Sequence, residues 1–550
     1  MVESTPGRVP IDLASRSFDA IVIGAGINGA GIARDAAMRG LKILLLDKGD
    51  ISAGTTSWSS RLIHGGLRYL EYGEVGLVRE SLRERENLFR IAPHLVRPLA
   101  MMIPIYDRAA RGPMTVRAGM LAYDLLSLDK SVDRHRMLSR AEALRRAPGL
   151  KAQGLRAAAL YFDAQVEYAE RLAVENCLSA AAHGACVITY AEVKRFKVDA
   201  QRVRGVVFAD LQGGGAEYEA TAPVTLNVAG PWVDQVLAGL EHPPPQMIGG
   251  TKGSHIIVDT FPGAPVDALY VEAETDRRPF FIIPWDHQYL IGTTDTRFEG
   301  DLDLVEADEQ EIDYLLRETN RVIPAARLER GHVLFTYSGV RPLPRVARGA
   351  ESSITRRHFV QQHEGCDGLY SVIGGKLTTY RSLAEHAVDL IYQKLGREKT
   401  LSKTAREPLP GAAIHDFKSF SASFIRQSPL EETTARRLLR VYGTRAPKVL
   451  EFAREDPELL EPLTPDANAL RAEVLMSFRC ELAQTLADCL LRRTMIGMNY
   501  RAARGADLAA AAIARKHLGW SAPKAEQEIA AYRKYRERFH PREAEKLNFV

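Results

Sequence analysis

Short apolar runs that end in glycine-rich turns mark the beginning of the chain. Phe18–Ile23 is a β-rich run, Gly24–Gly29 (GAGING) follows it, and Ala30–Arg39 continues with small residues that favour a helix. After Gly40 a second apolar run ends on Asp47. The pattern predicts a strand, a glycine turn, a helix and a second strand, which together form one βαβ unit.

The spacing of this unit is typical of adenine-dinucleotide binding. Glycines allow the tight turn and the close approach of backbone to a pyrophosphate, whose charge then lies at the helix N-terminus. Asp47 lies 18 residues beyond Gly29, the last glycine of the turn, and an acid at the end of the second strand can accept hydrogen bonds from ribose hydroxyls. The motif by itself leaves both NAD and FAD open.

Two later segments repeat the combination of a strand with a glycine turn. Val224–Gly230 is an apolar run that leads into small residues, and Leu369–Arg381 (LYSVIGGKLTTYR) meets a glycine pair before a predicted helix. Both are interpreted as returns to the first sheet, with their turns near the far end of one extended cofactor. This split arrangement favours FAD over NAD.

The remaining segments predict a three-part organisation. Insertions near 101–160 and 241–345, the second rich in β-type runs, would cap the cofactor and form the substrate pocket, between FAD-binding segments near 18–100, 161–240 and 346–400. Residues 1–17 are expected to be a loose tail, and residues 401–550, with long stretches such as Glu473–Arg493 and Ala502–Leu518, a separate helical domain. The predicted fold class is α/β: a discontinuous, Rossmann-like FAD-binding domain with an inserted mixed-sheet substrate domain and an all-helical C-terminal domain.

Composition excludes several function classes. The 550 residues carry 73 Lys and Arg against 69 Asp and Glu, and a net charge of +4 on so long a chain does not indicate nucleic-acid binding. The five cysteines form no CxxC pair, so neither a metal site nor a disulfide framework is expected. No apolar run approaches the roughly 18 residues of a membrane span, and the first 17 residues lack the apolar core of a secretory signal, so a cytoplasmic location is expected.

A set of ordered motifs carries a family resemblance. TTSWSSRLIHGGLRYLE (55–71), together with GAGINGAGIARDAAMRG, NVAGPWV, KGSHIIV, IGTTD, YSGVRPL and GGKLTTYR, strongly resembles the FAD-dependent, membrane-associated glycerol-3-phosphate dehydrogenases. The resemblance covers roughly residues 18 to 395 in register and extends more loosely to RRTMIGM in the C-terminal domain.

The resemblance implies FAD as cofactor and a defined reaction. The family oxidises C2 of sn-glycerol 3-phosphate to dihydroxyacetone phosphate by hydride transfer to flavin N5, and usually passes the electrons to membrane quinone. It also implies peripheral attachment to the inner face of the cytoplasmic membrane, and it is compatible with a homodimer. Three alternatives stay open: an oxidase that uses oxygen, a dehydrogenase of a related polyol phosphate such as a tetritol phosphate, and a flavin-binding module without catalysis.

Site residues follow from the matching positions. Arginine binds a phosphate dianion bidentately, and a histidine within reach of the C2 hydroxyl can take its proton. The resemblance therefore assigns phosphate binding to Arg68, Arg341 and Arg356, with Arg341 also assisting catalysis. It makes His255 the base and Lys376 the group that stabilises negative charge on the reduced flavin, while Tyr69 would orient the substrate or pack.

Cofactor contacts are expected from the same motifs. Arg61 is expected to contact a cofactor phosphate or its own loop, and His64 either fixes the loop or touches FAD. The full set is Gly24, Gly26, Asn28, Gly29, Asp47, Thr56, Ser57, Ser60, Arg61, His64, Gly65, Ala229, Gly230, Gly374, Gly375, Lys376, Leu377 and Thr378.

One departure from the family pattern lies in YFDAQVEYAERL. Tyr168 and Glu170 stand where the family commonly has a second acid and an arginine. The change is either neutral on a helix of the flavin domain or the sign of an altered pocket or interface. For membrane attachment, the sequence offers Pro98–Tyr106 with its neighbouring arginines, and Arg436–Lys448, although buried core beside solvated charges explains both equally well.

Overall fold

A computed structural model describes residues 8–107, 111–128, 130–345 and 357–539. The strands are β1 (Ala20–Ile23), β2 (Ile43–Leu46), β3 (Leu62–Ile63), β4 (Val96–Tyr106), β5 (Arg136–Ser139), β6 (Leu155–Val166), β7 (Cys186–Ile188), β8 (Ala191–Asp199), β9 (Arg202–Asp210), β10 (Ala216–Thr221), β11 (Val224–Asn227), β12 (Thr251–Val258), β13 (Ala268–Glu272), β14 (Pro279–Trp285), β15 (Gln288–Gly292), β16 (Thr296–Arg297), β17 (Val333–Arg341), β18 (Phe359–Gln362) and β19 (Leu369–Ile373).

The α-helices are α1 (Ile27–Met38), α2 (Val75–Ile91), α3 (Pro113–Leu125), α4 (Arg140–Arg146), α5 (Ala169–Ala182), α6 (Val233–Leu237), α7 (Glu309–Val322), α8 (Tyr380–Leu395), α9 (Phe417–Gln427), α10 (Glu432–Tyr442), α11 (Ala446–Glu451), α12 (Ala472–Cys480), α13 (Leu486–Asp488), α14 (Ala506–His517) and α15 (Ala522–Arg536). Short 3₁₀ segments include Leu13–Ser15, Leu67–Leu70 and Glu537–Phe539.

The first sheet is the predicted dinucleotide-binding sheet. Its strand order is β18-β19-β11-β1-β2-β7, and all neighbouring pairs except β18 with β19 are parallel. Helices α5 and α8 pack against α1, and the strands β1 and β2 are buried along their whole length. Because parallel strands end at one edge, the turns after β1, β2, β11 and β19 lie side by side, as the sequence predicts.

The two insertions build one large mixed sheet. Its main path is β16-β12-β15-β14-β13-β4-β6-β3, with β17 paired to β12 and β5 paired to β6. Strands from both insertions meet where β13 runs parallel to β4. The small antiparallel sheet β10-β9-β8 was not predicted, because its outward residues are charged pairs such as Lys197 with Glu219 rather than a continuous apolar run.

The C-terminal region is helical, as predicted, but one long helix is wrong. The stretch Glu473–Arg493 is interrupted, since α12 ends at Cys480 and Leu482 has a left-handed φ of 61°. The reason lies at Glu481, whose fully buried carboxylate receives hydrogen bonds from Arg171 and Arg445. The helix therefore ends where this carboxylate is buried between arginines.

Two further expectations concern the chain ends and the membrane. Within the predicted tail, Leu13 is buried against the first sheet, whereas most of the other described residues of this segment are exposed. In the parts of the chain that the structure describes, no helix combines the length and the apolar character needed to cross a bilayer. The same residues include no cluster of three or more His, Cys, Asp or Glu able to hold a metal ion.

Candidate active site

A single large cavity connects the carboxyl edge of the first sheet with the inserted sheet. Its volume is about 1160 Å³, and its wall includes the turns after β1, β2, β11 and β19 together with one end of β12, β14 and β17. It is thus continuous from the predicted dinucleotide site to the predicted substrate site. Most of the predicted site residues lie on its wall.

The glycine turn has the geometry that dinucleotide binding needs. Gly24 has a φ of 110°, and a Cβ placed on it would lie 2.6 Å from the Val228 carbonyl oxygen. A Cβ on Gly29 would lie 1.8 Å from the Gly24 carbonyl oxygen, so this glycine permits the close packing of α1 on β1 and is not itself on the cavity wall. The start of α1 therefore faces the cavity directly.

Asp47 lies where an acid could bind ribose. Its carboxylate accepts hydrogen bonds from the backbone N–H groups of Ala25, at 2.5 Å, and Gly49, at 2.8 Å. Burial raises the pKa of this carboxyl, and the two backbone donors partly oppose the rise. The acid is thereby fixed beside the glycine turn.

The surroundings of Asn28, in the first turn of α1, show whether the residues present could hold a flavin dinucleotide. Its side-chain Oδ1 is buried without a hydrogen-bond partner among the described residues, and its Nδ2 would be 2.9 Å from a Cβ on Gly375. Gly374 and Gly375 both have positive φ, which opens the turn after β19 toward the cavity. Together with Ala229 and Gly230, which line the cavity, these residues fit one extended cofactor that spans three strand ends.

The segment after the βαβ unit lines the middle of the cavity. The Thr56 hydroxyl accepts a hydrogen bond from the Ile27 N–H at 3.0 Å, and the His64 N–H donates to the Thr378 hydroxyl at 3.2 Å. Thr56, Ser60, His64, Leu377 and Thr378 are on the wall, whereas Ser57 and Gly65 are not. The Ser57 hydroxyl donates to the Ser52 carbonyl oxygen within its own loop, and the Gly65 N–H donates to the Tyr123 hydroxyl oxygen, so both residues help to hold the backbone of this segment in place.

Lys376 and Tyr69 meet across the cavity wall. The Lys376 ammonium lies 4.8 Å from the centre of the Tyr69 ring and donates to the Ser81 hydroxyl at 2.9 Å. Gly66, with a φ of 80°, makes this possible, because a Cβ there would lie 2.3 Å from the Tyr69 ring. The HGGLRY motif therefore positions a cation and an aromatic ring together.

His255 is buried on β12 at the substrate end. Its Nε2 is 2.8 Å from the Ser60 hydroxyl, its ring stacks on Tyr337 at 4.8 Å, and its Nδ1 has no partner among the described residues. Burial, reinforced by the charges of Arg341 and Arg61, lowers the pKa of His255 to about 3. The imidazole is therefore neutral, with a ring nitrogen able to accept a proton.

Arg341 is fixed beside His255 at the end of β17. Its Nη1 donates to Asp295 at 3.0 Å, and its Nη2 donates to the Thr293 hydroxyl at 3.1 Å. Asp295 also forms an ion pair with Arg278, and all three charged groups line the cavity. Neither Arg278 nor Asp295 was identified as a site residue from the sequence, although Asp295 lies within the IGTTD motif.

Of the other two arginines in the predicted phosphate site, the structure describes Arg68 but not Arg356. Arg68 lies on the cavity wall in the segment Leu67–Leu70, and its Nη2 donates to the Tyr72 hydroxyl at 3.2 Å. Arg356 lies outside the described residues.

The Arg61 guanidinium points into protein rather than toward a cofactor phosphate. It forms a bidentate pair with Glu170, at 2.6 and 2.7 Å, and lies 4.9 Å from the centre of the Trp285 ring. Although burial opposes it, the Glu170 charge raises the pKa of Arg61 above its ordinary value. Of the two expected roles, the loop contact is the one that the geometry supports.

The sequence analysis missed the contribution of the C-terminal end to this cavity. Lys534, Tyr535 and Arg538 line it, and Arg538 donates to the carbonyl oxygen of Asp303 at 2.9 Å. The Phe539 ring lies 5.0 Å from that of Trp58. No local motif marks these residues, because their role depends on how α15 packs against distant strands.

Two known protein families match different parts of the chain. The family described as FAD dependent oxidoreductase matches residues 19–381, and the family described as C-terminal domain of alpha-glycerophosphate oxidase matches residues 402–525. The cofactor is therefore FAD, and the cavity residues above are the ones available to hold it.

Individual relatives narrow the assignment. The chain is 46% identical to a glycerol-3-phosphate dehydrogenase of Synechocystis over 96% of this chain and 97% of that protein. It is 36% identical to glycerol-3-phosphate dehydrogenase 2 of Mycobacterium tuberculosis, over 94% and 88% of the two chains. The crystal structure of the glycerol-3-phosphate dehydrogenase from Bacillus halodurans complexed with FAD superposes with a TM-score of 0.79, at 26% identity and 96% coverage of both chains. The chain belongs to the FAD-dependent glycerol-3-phosphate dehydrogenase family.

Proposed function

We propose that the protein oxidises C2 of sn-glycerol 3-phosphate to dihydroxyacetone phosphate and passes the electrons to a membrane quinone. The observation that carries the proposal is the neutral, buried His255 beside the fixed cation Arg341, on the wall of the cavity that also contains the FAD-binding turns. A proton acceptor and a phosphate-binding cation thus share one enclosed space.

Substrate binding depends on the arginines of the cavity. Arg341 and Arg68 offer guanidinium groups to the phosphate dianion, and Arg356 is the third candidate from the family pattern. The hydrogen bonds from Arg341 to Asp295 and Thr293 hold its guanidinium in one orientation before substrate arrives. Such preorganisation fixes C2 relative to His255.

Proton removal is the role of His255. The hydrogen bond with Ser60 orients the imidazole, and the neutral ring accepts the proton of the C2 hydroxyl as the carbonyl forms. Binding of a dianion beside Arg341 offsets the positive charge that lowers the pKa of His255, so substrate makes the histidine a better base. FAD supplies the acceptor for the hydride that leaves C2.

The turn after β19 carries a cation, Lys376, on the cavity wall. We propose that Lys376 offsets the negative charge that two-electron reduction adds to the site. Its contacts with Ser81 and the Tyr69 ring keep the ammonium on the cavity wall. Tyr69 is thereby placed to contact substrate as well as to pack.

Membrane attachment is supported by α3 rather than by either segment expected from the sequence. In Pro98–Tyr106, Met101, Met102 and Ile105 are buried in the sheet, and in Arg436–Lys448 the apolar residues of α10 are buried in the core. Helix α3 instead exposes one apolar stripe: Met114 at 76%, Leu121 at 56% and Leu125 at 65%.

The position of this stripe suits a lipid-soluble acceptor. Exposed arginines on α2 and α3, Arg79, Arg83 and Arg117, would favour anionic lipid. The segment Leu67–Leu70, which carries the cavity residues Arg68 and Tyr69, packs against α3. A membrane at α3 would therefore lie close to the substrate end of the cavity.

Anaerobic bleaching of the flavin tests the proposal. The purified protein is mixed with sn-glycerol 3-phosphate or, separately, a tetritol phosphate, and a soluble quinone is then added. We expect the three-carbon substrate to bleach the flavin and quinone to restore its colour. Preferential bleaching by the four-carbon substrate would overturn the substrate assignment, and recolouring by oxygen with stoichiometric peroxide but not by quinone would overturn the acceptor.

A further inference from the structure

Asp295 bridges two guanidinium groups at the substrate end of the cavity. Its Oδ1 accepts from Arg341 at 3.0 Å, its Oδ2 pairs with Arg278, and its backbone carbonyl oxygen accepts a second bond from Arg278 at 2.6 Å. Only 4% of the Asp295 side chain is exposed, against 27% for Arg278 and 15% for Arg341. The carboxylate is thus enclosed while both guanidinium groups reach the cavity.

This arrangement fixes the geometry and the charge of the wall. A carboxylate with one guanidinium on each oxygen holds both groups in a defined relation, as bidentate pairing does elsewhere in proteins. The three groups sum to a single positive charge, so this part of the cavity wall favours an anion.

We propose that Arg278 binds the substrate phosphate together with Arg341, and that Asp295 is the positioning residue that sets both guanidinium groups. This inference rests on the proposed function, because it takes a phosphorylated polyol as the substrate. It adds Arg278, a cation in the loop just before β14, to the residues expected from the family pattern. In a purely structural role, Arg278 would only neutralise Asp295.

Matched variants separate the two roles. Arg278→Gln removes the cation, Arg278→Lys keeps the charge without the fork, and Arg277→Gln is the control, since Arg277 is the adjacent, half-exposed arginine off the cavity wall. Each holoenzyme is mixed anaerobically with sn-glycerol 3-phosphate in a stopped-flow instrument, which gives a dissociation constant and a limiting rate of bleaching. Inorganic phosphate is titrated as a competitor.

If Arg278 binds the phosphate, Arg278→Gln weakens the binding of both sn-glycerol 3-phosphate and inorganic phosphate by roughly 10- to 100-fold, with a much smaller change in the limiting rate of bleaching. Arg278→Lys recovers part of the loss, and Arg277→Gln behaves as wild type. Unchanged affinity for inorganic phosphate in Arg278→Gln overturns the inference. If that variant loses its flavin, Arg278→Lys decides: weaker phosphate binding at an unchanged limiting rate supports the inference, and wild-type binding contradicts it.

Asp295→Asn tests the positioning role, because a positioning role and a purely electrostatic role predict opposite changes in the affinity for inorganic phosphate. Loss of the negative charge makes the site more positive, so a purely electrostatic role predicts tighter binding of inorganic phosphate. A positioning role predicts weaker binding, because the two guanidinium groups lose their common anchor. Wild-type enzyme that is not bleached by sn-glycerol 3-phosphate would refute the proposed function itself, whereas bleached wild type with unaffected variants would refute only this inference.

Discussion

Arg61 and Glu170 form a bidentate ion pair in which 0% and 1% of the side chains are exposed. This pair accounts for the departure in YFDAQVEYAERL, since the glutamate provides the counter-charge for a buried arginine. Tyr168 is likewise buried, its hydroxyl donates to Asp286 at 3.3 Å, and neither Tyr168 nor Glu170 lines the cavity. The departure therefore supports a structural adjustment and gives no support to an altered pocket.

Removal of one partner of the Arg61–Glu170 pair should destabilise the folded protein. Glu170→Gln leaves the buried Arg61 without its counter-charge, and we expect a loss of about 3–5 kcal/mol in the free energy of unfolding by urea. The control Glu217→Gln breaks an exposed pair with Arg195 and should leave stability nearly unchanged, because water and salt screen such a pair. Equal, small losses in both variants would show that the buried pair is not needed.

The conformation of Gly66 should matter for catalysis as well as stability. Gly66→Ala strains a positive φ and drives a Cβ into the Tyr69 ring, so we expect the bleaching rate to fall at least tenfold. Gly73→Ala is the matched control, because Gly73 has a φ of 71° but a Cβ there meets nothing within 4 Å. Both variants should lose about 1–2 kcal/mol of stability from backbone strain. Equal bleaching rates in Gly66→Ala and Gly73→Ala would show that the position of Tyr69 does not matter for catalysis.

The buried imidazole of His255 should make stability depend on acid. The pKa of His255 is lowered to about 3 in the folded protein, so between pH 6.5 and 3 the unfolded chain binds a proton that the folded chain does not. Stability therefore rises with pH in this window and is lost as pH falls below 6.5. We expect the unfolding free energy of the wild type to fall more steeply than that of His255→Asn, by up to about 1.4 kcal/mol per pH unit. Parallel curves would show that His255 titrates normally.

The apolar stripe of α3 should control lipid binding. The double variant Leu121→Ser and Leu125→Ser is expected to lower partition onto vesicles that contain anionic lipid by tenfold or more, because it removes two exposed aliphatic side chains that would insert into the lipid. Leu401→Ser is the control, since Leu401 is 76% exposed and lies far along the chain. Sedimentation of protein with vesicles measures the effect. Equal partition of the two variants would place the membrane contact elsewhere.

Local patterns were sufficient to predict the dinucleotide-binding half of the molecule. Gly24, Asp47 and Gly375 act through turns and strand ends that lie within one short segment each, and the parallel sheet brings those ends together. The family resemblance supplied His255 and Arg341 as candidates, and both lie on the cavity wall.

The remainder of the site depends on packing over long sequence distances. Asp295 links Arg278 to Arg341, and Glu170 reaches Arg61 across a gap of 109 residues. Arg538 enters the cavity wall because the segment Glu537–Phe539, which follows α15, packs against β17 and the turn at Asp303, 235 residues away. Such contacts leave no periodicity or spacing in the sequence from which they could be predicted.

The role of His255 as the proton acceptor is tested most directly by the bleaching of enzyme-bound flavin with sn-glycerol 3-phosphate, measured anaerobically in wild type and in His255→Asn. Removal of a general base costs roughly 100- to 10,000-fold in rate, and we predict a loss of that size in the limiting rate. Because Arg341 and Arg68 are unchanged, the dissociation constant of the substrate should stay within about tenfold of wild type. Bleaching of His255→Asn at the wild-type rate would contradict the proposed mechanism.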